Sequence, residues 1–279
     1  MKRQKSFEND QSTLYLVATP IGNLNEFTKR AIDILKSVNY IACEDTRTSK
    51  TLLDKYEIKA RLISYHNFNE SDSSNGLLKL LAEGEDVALI SDAGYPLISD
   101  PGYEIVNRAI DEGFNVVTVS GPSAGLHALV SSGLETRHYL FYGFMSKVKK
   151  ELEDLKKFPY TMIFYESPHR INETLKVAFE VLGDRKVCLA RELSKKHEEY
   201  IRGNLSELLN LEDLKGEIVL IIEGYHKEND VINYYMIKDT IDNYIESGMT
   251  SKDAIKKVSK ELGISKNDIY REYHALEKQ

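Results

Sequence analysis

Hydrophobic positions fall into short unbroken runs separated by stretches with helical spacing. From Thr13 to Ser120, the runs TLYLVA, YIAC, RLIS, DVALIS and NVVTVS read as strands. Helical spacing, with apolar residues three or four positions apart, covers segments near Phe27–Ser37, Ser49–Tyr56, Ser73–Ala82 and Tyr103–Glu112. Strands that are apolar throughout and alternate with helices of this length predict βαβ units and a largely parallel sheet buried on both faces. A second set follows Gly133: HYLFYGF, YTMIFYES, RKVCLAR, HEEYIRG and GEIVLIIEG as strands, with Ser146–Lys157 and Ile171–Leu182 as helices. HEEYIRG alternates in polarity, which predicts an antiparallel element and so a mixed sheet. GPSAGLHALVSSGL predicts a short helix leading into this second half.

After Tyr225 the chain turns polar (HKEND) and then helical. One helix is expected to end at Gly263, with Ser265 capping the next. Their shape is that of a helix-turn-helix or of a plain helical hairpin. Ala254, Val258, Leu262, Ile264, Ile269, Tyr270 and Tyr273 form its apolar pattern. The predicted organisation is a flexible tail at 1–12, an α/β domain at 13–122, a second α/β domain at 123–228 with a ligand cleft between the two, and a helical tail at 229–279.

Bulk composition narrows the setting. No apolar run approaches the ~18 residues that a membrane helix needs, and MKRQKSFENDQST lacks the apolar stretch of a secretory signal. The two cysteines, Cys43 and Cys188, lie in apolar strands and read as buried free thiols, which predicts a cytoplasmic protein. A formal charge of −7 argues against a protein that coats nucleic acid through bulk charge. It leaves room for a few local cations that position a structured RNA.

Four loops rich in Gly, Pro and small polar residues follow predicted strands: ATPIGNLN, CEDTRTSK, SDAGYPLISDPG and SGPSAG. Beyond the carboxyl ends of parallel strands lies the ligand crevice of an open α/β sheet. The third loop carries carboxylates at Asp92 and Asp100 and no basic residue. That donor set suits a ligand with ribose hydroxyls, an amino group and a positive centre better than a phosphate. Capping of turns by the two aspartates is the plainer alternative. No G-x-G-x-x-G, P-loop, G-x-S-x-G or zinc-spaced Cys/His set occurs, so no metal is expected. FYESPHR and ARELSKKHEE each end a predicted strand with clustered charge, fit either for solvated surface pairs or for a crevice.

Taken in order, TPIGN (19–23), EDTR (44–47), His66 with Asn69 and Glu70, SDAG (91–94), SDPG (99–102), GPS (121–123), FYESPHR (164–170) and AREL (190–193) closely resemble the ribosomal RNA methyltransferases of the tetrapyrrole methylase superfamily. The resemblance runs from about Thr13 to Gly224, and the helical tail is similar to the family's C-terminal segment. It implies two α/β domains, S-adenosylmethionine as cofactor, a homodimer, and 2′-O-methylation of a cytidine ribose in the decoding region of 16S rRNA, offered as naked rRNA or as the small ribosomal subunit. By motif, the cofactor is expected at Pro20 and Gly22, at Ser91, Asp92, Ala93, Gly94, Tyr95 and Pro96, and at Pro122, Ser123 and Ala124. Glu166 and Ala190 carry over from the wider superfamily. Tyr95 departs from the family, which has Thr there, and its phenol is expected to narrow the cavity or stack on the ligand.

A ribose hydroxyl is a poor nucleophile, so a general base is expected, with Glu44, Asp45, Glu70 and Glu166 as candidates. Arg47, His66, Asn69, His169, Arg170, Arg191, Lys195 and Lys196 are the candidate RNA contacts. The alternatives are a tetrapyrrole methylase and a non-enzymatic nucleic-acid reader that uses the tail.

Overall fold

The computed structural model describes residues 1–209, 211–212, 214–226, 234–262 and 265–276. It divides into two compact units, Met1–Gly224 and Tyr225–Gln279.

The larger unit contains two sheets. The first is built from β1 (Thr13–Val17), β2 (Tyr40–Cys43), β3 (Arg61–Ser64), β4 (Val87–Ile90) and β5 (Asn115–Val119). All five are parallel, in the order β3-β2-β4-β1-β5. Its connecting helices are α1 (Lys29–Ser37), α2 (Thr46–Lys55), α3 (Glu70–Ala82) and α4 (Tyr103–Glu112). Leu35 of α1 and Leu53 of α2 pack with Val17, Ile41 and Ile90 on one face. Leu77 and Leu81 of α3 and Ile105 of α4 pack with Leu14, Leu16 and Leu89 on the other. Burial on both faces is why these strands read as continuous apolar runs. The expected α2 began at Ser49; it begins at Thr46 because the Asp45 carboxylate accepts from the Arg47 (2.8 Å) and Thr48 (3.4 Å) amides and caps the first turn. Likewise α3 starts at Glu70 rather than Ser73.

The second sheet follows α5 (Ala124–Ser132), which ends at Gly133 in a left-handed conformation. Its elements are β6 (Tyr139–Phe144), α6 (Val148–Asp154), β7 (Thr161–Glu166), α7 (Ile171–Leu182), β8 (Lys186–Arg191), β9 (Glu199–Asn204) and β10 (Ile218–Ile222). The order is β6-β7-β10-β8-β9, with β6 and β7 parallel and the other pairs antiparallel, β9 included. Leu152, Leu175 and Leu182 of α6 and α7 cover one face. Ala128 and Leu129 of α5 cover the other, joined by Ile21 and Leu193. Cys43 and Cys188 are buried free thiols.

Two features go beyond what the sequence pattern shows. The first twelve residues are tied down rather than free: Lys2 pairs with Asp111 (2.6 Å), and Asn9 and Asn115 exchange amide hydrogen bonds (2.9 and 3.2 Å). The Gln4 side chain both donates to the Val116 carbonyl (2.9 Å) and accepts from its amide (3.1 Å). Arg185, unremarked in the sequence, is buried, and its guanidinium donates to the main-chain carbonyls of Leu182, Glu223 and Lys156.

Among its described residues the smaller unit has the two expected helices α9 (Ser251–Leu262) and α10 (Lys266–Leu276), preceded by α8 (Tyr234–Glu246) in the stretch read only as helical. Ile237 and Ile241 meet Ala254, Ile255, Val258, Ile269 and Tyr273 in a core of their own. Tyr270, assigned to the apolar face, is exposed. The expected helix end at Gly263, the apolar position Ile264 and most of the HKEND linker lie outside the described residues. Among the described residues, no helix is long and apolar enough to cross a membrane.

Removing the Arg185 guanidinium strands buried carbonyls at ~1–3 kcal/mol each and leaves a void. Arg185→Ala is expected to cost about 3 kcal/mol, a fall in Tm of about 6–12 °C on thermal denaturation. A chain ending at Gly224 keeps the ten strands found among the described residues, and its cooperative melt is expected to persist, with the far-UV helical signal lowered by the loss of α8–α10.

Candidate active site

In the first sheet β1 and β4 are neighbours, yet the helices that follow them lie on opposite faces. Their loops therefore part above the strand ends and open the crevice where α/β sheets bind ligands. Thr19 and Gly94 exchange two main-chain hydrogen bonds across this gap (2.9 and 3.0 Å), and the buried Thr19 hydroxyl donates to the Ser91 carbonyl (3.0 Å). Gly94 sits at φ +77°, a region that a side chain disfavours. The Tyr95 phenol accepts from the Gly121 amide (3.0 Å), so it fastens the third loop to the fourth.

Over this crevice lies a cavity of about 400 Å³. Its floor is the loop from Asp92 to Tyr95 with Ile98 and Asp100, one end is formed by Ser123 and Ala124, and Ile21 and Leu193 add apolar wall. The opposite side comes from the second sheet, through Phe144, Tyr165, Glu166 and the segment Gly216–Val219. Of the expected cofactor residues, Asp92, Ala93, Gly94, Tyr95, Ser123 and Ala124 converge here, with Glu166. Pro20, Ser91, Pro96 and Pro122 support the loops without lining the cavity. Gly22 lies outside the cavity lining, where a Cβ would come 2.8 Å from the Leu193 carbonyl, so the close approach leaves no room for a side chain. Ala190 is wholly buried in β8 among the apolar side chains under α5.

Carboxylates crowd the strand ends. Burial raises Asp100 to about 6, helped by the negative charge of Glu44 and opposed by a hydrogen bond from Ser91, with Asp92 adding a smaller push. Desolvation also holds Asp92 above the usual carboxylate range, against an amide hydrogen bond from Asp45. Asp45 goes the other way: hydrogen bonds from the Arg47 side chain and amide lower it. Across the cavity, burial raises the Tyr165 phenol, and the charge of Asp100 adds to this.

The other candidates are held as follows. Glu70 Oε1 accepts from the Gly102 (3.0 Å) and Glu104 (3.2 Å) amides and from Tyr65 (3.1 Å), fixing the SDPG loop. Asn69 accepts from the His66 amide (2.8 Å) and donates to the Ser64 carbonyl (3.1 Å), closing a turn. The buried His66 Nδ1 has no partner among the described residues. Glu166 accepts from Thr174 (2.7 Å) and the Ser167 amide (2.8 Å), with Arg170 at 3.6 Å. Arg170 also donates to the Met145 carbonyl (2.9 Å). Arg47 pairs with Asp45 (3.1 Å), Arg191 with Glu199, and Lys195 with Glu192 and Glu217 (2.9 Å each). His169 and Lys196 are exposed.

Of the second-sheet wall, sequence reasoning named only Glu166; it missed Phe144, Tyr165 and Gly216–Val219, because they approach the first sheet only through the tertiary fold. It also passed over Asp100 as a candidate base. Among the described residues, no group of three or more His, Cys, Asp or Glu side chains is placed to hold a metal ion.

Comparison with known proteins agrees with this architecture. The chain is 46% identical to ribosomal RNA small subunit methyltransferase I of Bacillus subtilis (strain 168), over 98% of this chain and 99% of that protein. It is 44% identical to the protein of the same name in Halalkalibacterium halodurans, with the same shares covered. Among solved structures, diphthine synthase superimposes with a TM-score of 0.62 at 10% identity, covering 78% of this chain and 93% of that one. Uroporphyrin-III-C-methyltransferase from Thermus thermophilus gives 0.55 at 19%, covering 76% and 94%; at such identities the likeness is one of fold. The model of the tetrapyrrole (corrin/porphyrin) methylases matches residues 13–209. With most of its length in that match and full-length relatives above 40% identity, the chain belongs to the tetrapyrrole methylase family.

Proposed function

We propose that this protein transfers the methyl group of S-adenosylmethionine to the 2′-hydroxyl of a cytidine ribose in the decoding region of 16S rRNA. The observation that carries the reading is the cavity at the parting of the β1 and β4 loops. It joins the carboxylates Asp92 and Asp100 on the first sheet to an apolar and aromatic wall on the second. The volume lies within the range of small-molecule sites. Its donor set fits the cofactor: Asp92 is an acceptor for hydroxyl or amino groups, and Ile21, Ile98, Leu193 and Val219 offer apolar contact to a flat base. The relatives' names supply the substrate class, and a cytidine 2′-hydroxyl is the finer part of the proposal.

S-adenosylmethionine supplies an electrophilic methyl group on a sulfonium, so the protein's main tasks are alignment and proton removal. The stapled loops and Tyr95 hold the floor still. Asp100 lines the cavity and accepts the hydroxyl proton, because its basicity near neutral pH suits that role better than the lowered Asp45 or the amide-bound Glu70. Glu44 sustains it as a neighbouring negative charge. Glu166, gripped by Thr174 and its own neighbour's amide, shapes the wall. Arg47, His169, Arg170, Arg191 and Lys196 are the proposed RNA contacts; Lys195, His66 and Asn69 support the loops that carry them. A cytoplasmic location fits an rRNA substrate and two buried thiols, and a homodimer fits the exposed Leu126 and Val130, one turn apart on α5.

Asp92→Ala and Ser123→Trp are each expected to weaken S-adenosylmethionine binding about tenfold or more by calorimetry, the first by losing an acceptor and the second by filling the cavity. Unchanged affinity in both folded variants overturns the cavity as the cofactor site. Asp100→Asn is expected to lower kcat for rRNA methylation ~10²–10⁴-fold with cofactor affinity kept. In the wild type, kcat should fall as pH drops below about 6. Stability tests the same shift with the opposite sign. The folded-state value lies above the unfolded 3.8, so ionising Asp100 destabilises the fold; the cost is absent below about pH 4 and complete above about pH 6. The Tm of Asp100→Asn should exceed that of the wild type at neutral pH and converge with it near pH 4.

A further inference from the structure

Beside the mouth of the cavity runs an open groove of about 470 Å³, lined by Lys147, Lys149, Lys150, Arg170 and Thr174 among others. It adjoins the cavity through two stretches of chain. Phe144 lines the cavity and the groove starts at Ser146; Glu166, Ser167 and Pro168 line the cavity and Arg170 lines the groove. Thr174 lies in the groove wall and donates to Glu166 in the cavity wall (2.7 Å). The segment that carries the lysines is held in place. Glu151 Oε1 accepts from the Ser146 amide (3.1 Å), the Ser146 hydroxyl (2.9 Å) and the Lys147 amide (2.6 Å). Arg170 fastens the preceding turn through the Met145 carbonyl (2.9 Å).

Charge bookkeeping sets this groove apart. The chain carries −7 overall, and Arg47, Arg191 and Lys195 near the site are already engaged with carboxylates. Lys147, Lys149 and Lys150 are exposed and make no ion pair among the described residues. Three unneutralised ammonium groups within four residues, on a braced turn, outnumber the Glu173 carboxylate in the groove lining and form a local positive field in an acidic protein. Phe144, 60% exposed on the cavity wall two residues before the groove begins, adds a flat apolar face. Cations that track a backbone next to an exposed aromatic are what single-stranded nucleic acid needs: phosphates for the lysines, a base for the ring.

We infer that this lysine-bearing groove at the start of α6 grips the RNA strand flanking the nucleotide whose ribose enters the cavity. The inference rests on the rRNA reading above and adds the surface that supplies the affinity. The chain segments that line the groove run directly on from those that line the cavity, so phosphates held there leave the target ribose near the mouth, and the grip serves substrate positioning with no part in methyl transfer.

The test uses the full-length protein with Lys147→Gln, Lys149→Gln and Lys150→Gln combined, and a control triple of Lys50→Gln, Lys55→Gln and Lys59→Gln on and after α2. Binding of 16S rRNA is measured across a salt series, together with kcat and KM for methylation and calorimetric affinity for S-adenosylmethionine. Each lost phosphate contact removes ~0.7 from the slope of log affinity against log salt on a single strand. The groove triple should therefore lose about two from that slope and raise KM about tenfold, with kcat at saturating RNA and cofactor affinity unchanged. The control triple should match the wild type. If the groove triple binds and methylates like the wild type, or the control loses as much, the groove inference falls and the rRNA reading stands. If the wild type neither binds nor methylates rRNA, both fall together.

Discussion

Everything at the site depends on the pair of main-chain hydrogen bonds between Thr19 and Gly94. Parallel strands end with polar groups that no neighbouring strand satisfies, and at β1 and β4 the chain leaves toward opposite faces. Left alone, the two loops would splay into solvent. The reciprocal bonds, with the Thr19 hydroxyl on Ser91, close them into one platform. Tyr95 on Gly121 extends that platform to the start of α5, which packs on the second sheet. The cavity floor and wall are thus set by main-chain geometry, and the side chains facing inward are free to serve a ligand.

The electrostatics divide sharply. Carboxylates gather at the ends of β2 and β4, where burial, with a smaller push from neighbouring charge, keeps Asp92 and Asp100 less acidic than usual, while Asp45 satisfies a helix start and an arginine. Several cations flagged by motif prove to be bound to carboxylates. An acidic protein that handles a polyanion has to keep some positive charge unspent, and here it sits beside the lip formed by the second sheet, away from the acidic strand ends.

Much of the fold was legible because buried parallel strands and amphipathic helices leave strong periodic signals. All ten strands and α4, α5 and α7 were readable from the chain. Local chemistry moved the boundaries: the Asp45 cap lengthened α2, and Glu70 opened α3. The site was half legible. Loops at the strand ends of the first sheet carry compact motifs, so Asp92 to Tyr95 and Ser123 stood out. Residues contributed by the second sheet have no local signature, since Phe144 and Ile218 read simply as strand positions. Gly22, closely approached by Leu193 and Lys195, and Ala190, buried in β8, do not line the cavity. Burial of an arginine on three carbonyls, as at Arg185, is invisible until the surrounding turns are folded.

The N-terminal segment carries one more implication. β5 is an edge strand of the first sheet, with a row of main-chain groups turned outward. At Val116 both of those groups are taken by the carboxamide of Gln4, which imitates a peptide unit of a sixth strand. A single side chain thereby blocks the register in which another molecule's strand could add. The first dozen residues thus act as a guard against edge-to-edge aggregation, and proteolytic trimming of them would expose an adhesive edge on an otherwise intact protein.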